Sequence, residues 1–498
     1  MESSGGIDVV DNLARAEYYD DKQPAVEVSE SPLKWCSVSL SEMVERGKRL
    51  EASVFDVEAK HDWELISNNK YGVVTIGGEK GLTTSYTCGR FKRIWVKKSE
   101  YPIYQPSTIV DINPTPDGYI SKKTKVNIDA LRVHKGQILL TCSGTIGKTA
   151  LVSDTLDNAI FSHDLLRIDC KNPIDSGYIY TYLRSKIGSK ILITNSYGAV
   201  ITHIESEHLA TVPIPDAPSA IKEKIHKLIV RSYELRDESN TLIDEATKLL
   251  IEELHLPAIE DFGVSLYKTD ASVDTFSVKL SELNGRADAS YHAPIVDSIV
   301  EHLKKYAAEV TTIGDERISS DVVLPGRFKR VYVDEGYGIT FFSGKNISEL
   351  DPSDKKYLSF SQHDKKIKQE LTIHSNMILV TCSGTIGNAT LVPKHWDGWT
   401  MTHDIIRIIP KNDLCGYLYI WLNSEYCNRI VLSYSYGSVV QHIEKEHILK
   451  CPVPLLKNQA IQKKINDLAL EANAKRYEAY KLEQEALHIL DNEVIFAK

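Results

Sequence analysis

The most suggestive chemistry lies in Ser143-Gly144-Thr145-Ile146-Gly147-Lys148-Thr149. A glycine-rich turn ending in Gly-Lys-Thr can cradle phosphates on backbone N–H groups while its lysine meets the outer phosphate. The spacing fails, because four residues must separate the first glycine from Gly-Lys and the position that should be glycine is Cys142. The run also returns at Ser383 to Gly387, where Asn388 and Ala389 follow and the cation is gone. The expectation is a turn between two strands, with glycines at positive φ. His163-Asp164 and His403-Asp404 recur in one context and could form acid/base dyads. Neighbours on a strand point to opposite faces, which predicts structural roles instead.

Other catalytic kits are missing from the sequence. The eight cysteines (Cys36, Cys88, Cys142, Cys170, Cys382, Cys415, Cys427, Cys451) contain no C-x-x-C pair, and only Cys142 and Cys382 repeat in register. That pattern predicts buried reduced thiols and no metal site. No two of the 18 prolines are adjacent, so the Asn/Asp-Pro-Pro-aromatic loop of an amine methyltransferase is missing. There is no glycine-rich nucleotide fingerprint, and neither Pro116-Asp117 nor Pro215-Asp216 leads to the acid-x-Lys element of a nuclease.

Binding candidates are clearer. Arg90, Phe91, Lys92, Arg93, Trp95, Lys97 and Lys98 interleave cations with aromatics, and Arg327, Phe328, Lys329, Arg330 and Tyr332 recreate most of the run. Further cations stand at Lys122, Lys123, Lys125, Lys355, Lys356, Lys365, Lys366 and Lys368. Such clusters neutralise phosphates, and an arginine can meet a guanine edge with two hydrogen bonds. A solvated charged strand face is the plain alternative.

The elements that must carry these residues are written twice. LTCSGTIGKTALV at 140–152 returns as VTCSGTIGNATLV at 380–392, GRFKRIWV at 89–96 as GRFKRVYV at 326–333, SHDLLRI at 162–168 as THDIIRI at 402–408, and SYGAVITHI at 196–204 as SYGSVVQHI at 435–443. Near-constant offsets make the chain a tandem of two modules with almost no net insertion. Each begins with short β-branched or aromatic runs, such as Tyr71 to Ile76, Arg93 to Val96, Gln137 to Leu140 and Leu165 to Ile168, matched by Arg330 to Val333, Met377 to Val380 and Ile405 to Ile408. A helix is expected at Tyr178 to Leu192 and at Tyr417 to Leu432. Val212-Pro213-Ile214-Pro215 and Cys451-Pro452-Val453-Pro454 should be extended.

A long helix follows in each copy. In the first, Ser219 is the expected N-cap, Ile221, Leu228, Leu235, Leu242 and Leu249 fall every seven residues, Ile225 and Ala246 take the alternate core position, and the helix should stop before Pro257. In the second, from about Ala460 to Leu490, Ile461, Leu468, Leu482 and Ile489 keep the register beside the small residues Ala472, Ala479 and Ala486, with Lys475 interrupting the stripe. At ~1.5 Å per residue a 35-residue helix reaches on the order of 50 Å, which favours an antiparallel pair over each helix packing on its own module.

The resulting fold class is α+β: two β-rich domains, each followed by a long helix, the two helices pairing as an antiparallel coiled coil. The divisions are 1–33, an acidic, partly disordered extension; 34–216, the first β-rich domain; 217–256, its helix; 257–273, a linker; 274–455, the second β-rich domain; and 456–498, its helix. With 498 residues, 42% of them hydrophobic, several cores are expected. No apolar run approaches the roughly 18 residues that span a bilayer, so a cytoplasmic protein without membrane partners is expected. The net charge of −9 opposes nucleic-acid binding at first sight, but residues 1 to 35 hold eight acids and three bases, 3 − 8 = −5, leaving only −4 elsewhere.

Taken in order and duplicated, these motifs resemble the DNA specificity subunit of type I restriction-modification systems. The resemblance rests on Gly136 to Val152 and Asn376 to Val392, Gly177 to Ser185 and Gly416 to Ser424, Gly198 to Ile204 and Gly437 to Ile443, and the proline-spaced entry to each long helix. It covers about residues 34 to 490. It implies two target recognition domains, each reading half of a bipartite asymmetric site on double-stranded DNA, and helices that hold them apart and dock two methyltransferase subunits. Restriction and translocase subunits would join through those partners. It also implies no catalysis and no cofactor on this chain, with S-adenosylmethionine, ATP and Mg on partner subunits, in a DNA-methylating host defence system. Gln459 fits a glutamine common before the family's long helix, whereas Ala217, Pro218 and Ser219 do not; Asn376 replaces the usual Asp or Gly. Two other readings stay open: a nucleotide-dependent enzyme using the loop near Lys148, and a helical scaffold that does not contact DNA.

Overall fold

A computed structural model describes residues 38–45, 48–49, 51–198, 202–262, 267–268, 274–352, 354–411 and 413–497. The acidic extension 1–33 and part of the linker at 257–273 lie outside the described residues. The chain forms two compact units: one runs to Asp237 and takes in Glu349–Ser353 and Glu478–Lys498, the other comprises Glu238–Ser348 and Asp354–Tyr477.

In the first unit a four-stranded antiparallel sheet is ordered Thr83–Tyr86, Leu165–Cys170, Ile138–Thr141, Thr149–Leu151. Its central strands are apolar on both faces because both are covered. Ile138, Leu140, Leu166 and Ile168 pack towards the helices Asp175–Arg184 and Lys186–Thr194, while Leu139 and Leu165 pack with Ile109 and Phe161 on the other side. That second side bears a smaller sheet ordered Trp95–Val96, Gly118–Ile120, Pro102–Tyr104, Ile160–Phe161, the last pair parallel. The proline-spaced segment is extended, with Pro213–Pro215 pairing Val73–Thr75.

The second unit repeats this topology strand for strand. Its core sheet is ordered Ser319–Val323, Ile405–Pro410, Ile378–Thr381, Ala389–Leu391, and its small sheet Tyr332–Val333, Lys356–Ser359, Gly338–Phe342, Thr400–Met401. Pro452–Leu455 pairs Glu309–Thr312. The loop around Lys148 is the expected turn between two strands, with Gly144 and Gly147 at φ +72° and +89° and Gly384 and Gly387 at +74° and +90°.

The single helix expected at 178–192 is two. Ser185 takes an extended conformation and its hydroxyl accepts from Gly188 N, capping Lys186–Thr194. Ser424 does the same between Cys415–Asn423 and Glu425–Ser433. A serine that satisfies the free N–H groups of a new helix ends the old one without an apolar break in the sequence.

The long helices span Ser219–Glu253 and Gln459–Ile489. The first begins one residue earlier in role than expected: Pro218 O accepts from Ile221 and Lys222, so Ser219 is the first helical residue and not the cap. Within the first unit Lys224 pairs Glu493, Arg236 pairs Glu483, and Ser232 Oγ donates to Ala479 O at 2.8 Å. Within the second, Glu238 pairs Lys475 and Glu245 pairs Lys464. In each unit the partners run in opposite chain directions. The deepest seam is the small-residue one: Ile225, Ser232, Ser239 and Ala246 on one helix and Ile465, Ala472, Ala479 and Ala486 on the other are at most 1% exposed. Leu235 and Ile489 are buried, but Ile221, Leu228, Leu242, Leu249, Ile461, Leu468 and Leu482 are half-buried and pack against the unit cores. Small side chains let the backbones approach, and the larger ones are displaced to the flanks. No helix among the described residues is long and apolar enough to cross a membrane.

Candidate nucleic-acid interface

Strand register decides which cations meet. Trp95 pairs Ile120, Ser121 N donates to Ile94 O at 2.8 Å, and Ile94 N donates to Thr124 Oγ1. This sets Lys92 and Arg93 beside Lys122, Lys123 and Lys125, with Arg90 just before them. Lys97 and Lys98 follow the other end of the same edge strand, so they form a separate group. Arg90, Lys92, Lys97, Lys98, Lys122, Lys123 and Lys125 are exposed, and Trp95 beside them is 48% exposed.

The second unit builds a comparable face with different parts. Tyr332 pairs Leu358, Ser359 N donates to Val331 O, and Val331 N donates to His363 Nε2. The run Arg327, Lys329, Arg330 therefore lies against the helix Phe360–Lys366, which carries Lys365 and Lys366 and leads to Lys368. Lys366 and Lys368 are paired with Glu370 and Asp364, and exposed pairs of this kind hold their charge weakly. Lys355 and Lys356 sit at the other end of the sheet, over the rings of Trp399 and Tyr332, each at 4.9 Å.

One constellation is the same in both units. The His-Asp neighbours do not point to opposite faces, as strand parity had suggested. They precede their strands in a bend in the first unit and a turn in the second, and His163 Nε2 lies 3.1 Å from Asp164 Oδ2, His403 Nε2 3.4 Å from Asp404 Oδ1. The imidazoles are 18% and 16% exposed and the carboxylates 37% and 39%, so each pair opens to solvent to the same degree. Phe91 meets His163 edge-on, and Phe328 meets His403 in the same way. Burial pushes both histidines below their usual pKa; Asp164 and Asp404 oppose that, and the neighbouring arginines, Arg93 and Arg90 or Arg330 and Arg327, reinforce it.

Behind each pair lies a fully buried arginine that the sequence did not mark as functional. Arg167 donates to Leu165, Leu131 and Phe161 carbonyls, and Arg407 to Ile405, Leu371, Met401 and Thr402 carbonyls. Both tie the core sheet to the strand that enters the small sheet. Burial lowers Arg407 to about 9. The signal was the arginine inside an otherwise apolar LLRI or IIRI strand.

The phosphate-loop reading finds no room. Lys148 Nζ is 2.7 Å from Glu349 Oε1, with the two side chains 13% and 2% exposed, so the cation already has its anion. The thiols of Cys142 and Cys382 are pushed up to about 11 and about 12 by burial and stay protonated. Among the described residues no three His, Cys, Asp or Glu side chains gather as a metal site.

The model of the type I restriction modification DNA specificity domain matches residues 33–245 and 325–469, well over half of the chain. The chain belongs to this family. It is a DNA sequence-specificity subunit of a type I restriction-modification system, and the enzyme and scaffold readings are not favoured. Similar solved structures include the type I restriction-modification S subunit from M. genitalium, 13% identical over 82% of this chain and 94% of that one, TM-score 0.30. The HsdS subunit from Thermoanaerobacter tengcongensis is 14% identical over 84% and 98%, TM-score 0.26. A structure concerned with complex assembly and conformational transition of the type I R-M system is 14% identical over 82% and 96%, TM-score 0.26. No curated protein matches the chain.

Proposed function

We propose that each unit of this specificity subunit reads one half of a bipartite asymmetric target on double-stranded DNA, while the long helices dock two methyltransferase subunits. The observation that carries this reading is the duplicated small sheet, whose edge strand bears an exposed cation and aromatic run in both units. Exposed cations meet phosphates in a salt-sensitive way, and a minority of side chains choose the bases. The chain itself performs no catalysis and binds no cofactor; S-adenosylmethionine, ATP and Mg belong to partner methyltransferase and restriction or translocase subunits, in the cytoplasm. The occupied Lys148 and the protonated thiols support that division of labour.

The half-sites are read by the segments that differ between copies, Ser99 to Asn127 and Asp334 to Lys368, which build the two small sheets. Exchanging Ser99 to Asn127 for the same segment of another family member should alter one half of the methylated motif and leave the other intact. An unchanged motif, or the loss of both halves in a folded complex, rejects this assignment.

A further inference from the structure

Two modules that read different half-sites need a contact that is the same in both, because the only part of the duplex common to both half-sites is its backbone. The residues that recur in place, and not merely in sequence, are therefore the ones to examine. Arg93 and Arg330 stand out. Both are half-buried beside the repeated His-Asp pair, both have Nε shielded from solvent with no hydrogen-bond partner, and neither forms an ion pair with a carboxylate among the described residues. A desolvated guanidinium edge without an anion is costly, and an incoming phosphate relieves that cost.

Resting on the reading proposed above, we infer that Arg93 and Arg330 are the phosphate anchors of the two units, and that the His163-Asp164 and His403-Asp404 pairs are positioning residues that aim them. The second unit displays the linkage. Arg330 Nη2 donates to Thr402 Oγ1 at 3.0 Å and reaches His403 Nδ1 at 3.2 Å, while Asp404 holds the other imidazole nitrogen and accepts from Thr402. With Nδ1 accepting, Nε2 carries the proton towards Asp404, so the imidazole stands between carboxylate and guanidinium and separates the acid from the anion site. In the first unit Arg93 lies over Phe91 and Trp95, each at 5.9 Å, and His163 Nδ1 is shielded and has no partner. The first anchor is thus open and the second already latched. Base choice then falls to residues that differ between the copies, such as Lys122, Lys123 and Lys365.

The test uses the full chain assembled with its methyltransferase subunits, titrated with a duplex bearing its methylated motif and with a scrambled duplex from about 50 to 200 mM salt. Arg93→Ala and Arg330→Ala should each weaken both duplexes alike, by about tenfold or more, and make the salt slope shallower by about one. Arg93→Lys and Arg330→Lys should restore most of the affinity and leave the methylated motif unchanged, because a point charge still serves a phosphate but not a guanine edge. His403→Gln should weaken both duplexes by less, and add nothing in the Arg330→Ala background. A loss confined to the motif duplex, a changed motif in the lysine variants, or additive losses in the double variant would each overturn the inference, as would unchanged binding. Wild-type complex that binds neither duplex would instead sink the DNA-reading proposal itself.

Discussion

Where helix meets module, the two units solve the same packing problem with opposite chemistry. In the first, Glu483 is 1% exposed and is held by Arg184, Arg236 and the Tyr180 hydroxyl. Burial alone would raise its pKa, but the two arginines outweigh burial and keep it low. At the corresponding places of the second unit, 184 + 239 = 423, 483 − 240 = 243 and 236 + 240 = 476, stand Asn423, Ile243 and Arg476, and Arg476 reaches the Tyr419 hydroxyl and Ser239. An isoleucine fits any apolar bed of the right size, whereas Glu483 fits only where two cations wait. Buried ion pairs contribute little net stability but reject wrong partners, and the first unit holds a second such pair in Lys148 and Glu349, where the second unit has Asn388.

The comparison breaks most sharply at Glu483. Glu483→Ala removes the carboxylate shared by two buried guanidinium groups and should cost the first unit about 3–5 kcal/mol in urea unfolding, with the second unit's transition unmoved. Ile243→Ala removes only apolar contact, and should cost the second unit about 2–4 kcal/mol regardless of salt. Lys148→Asn copies the second unit's residue into the first and removes the cation beside buried Glu349; about 1–3 kcal/mol of stability should be lost, with ATP binding by equilibrium dialysis no different from wild type. A pH titration sharpens the contrast further. Because the folded pKa of Glu483 lies below its usual 4.5, its stabilisation is complete above about pH 4.5 and fades as pH falls through the lower folded value. The first unit should therefore lose stability in acid, and the variant Glu483→Ile with Arg184→Asn should lose less of it, as unfolding curves between pH 3 and 6 would reveal. The smallest effect is expected from Glu483→Ile with Arg184→Asn, which installs the neutral solution and should cost less than Glu483→Ala alone.

Much of this architecture was legible because the repeat doubles every signal. The strand runs, the glycine turn and the extents of the long helices follow from apolar runs and punctuation that recur at one offset. The helix break at Ser185 was hidden, since a serine in an apolar stretch looks tolerated until its hydroxyl is found capping Gly188. The His-Asp contact escapes strand parity, because its residues lie in a bend or a turn ahead of the strand. Of the two stripes that the long helices carry, the one with Ala472, Ala479 and Ala486 lies deepest, and most of the leucines fall on its flanks. Glu483 was invisible because its partners are 483 − 184 = 299 and 483 − 236 = 247 residues away. As for the cations, composition found them, but only strand register separated the group around Arg93 from Lys97 and Lys98.

The most direct test of two half-site readers on one chain is to sequence methylated bases in cells that carry the chain, cells that lack it, and cells carrying the Ser99 to Asn127 exchange. A bipartite motif that vanishes with the chain and changes in one half with the exchange is the expected result. Methylation that persists without the chain, or a single undivided motif, would contradict it.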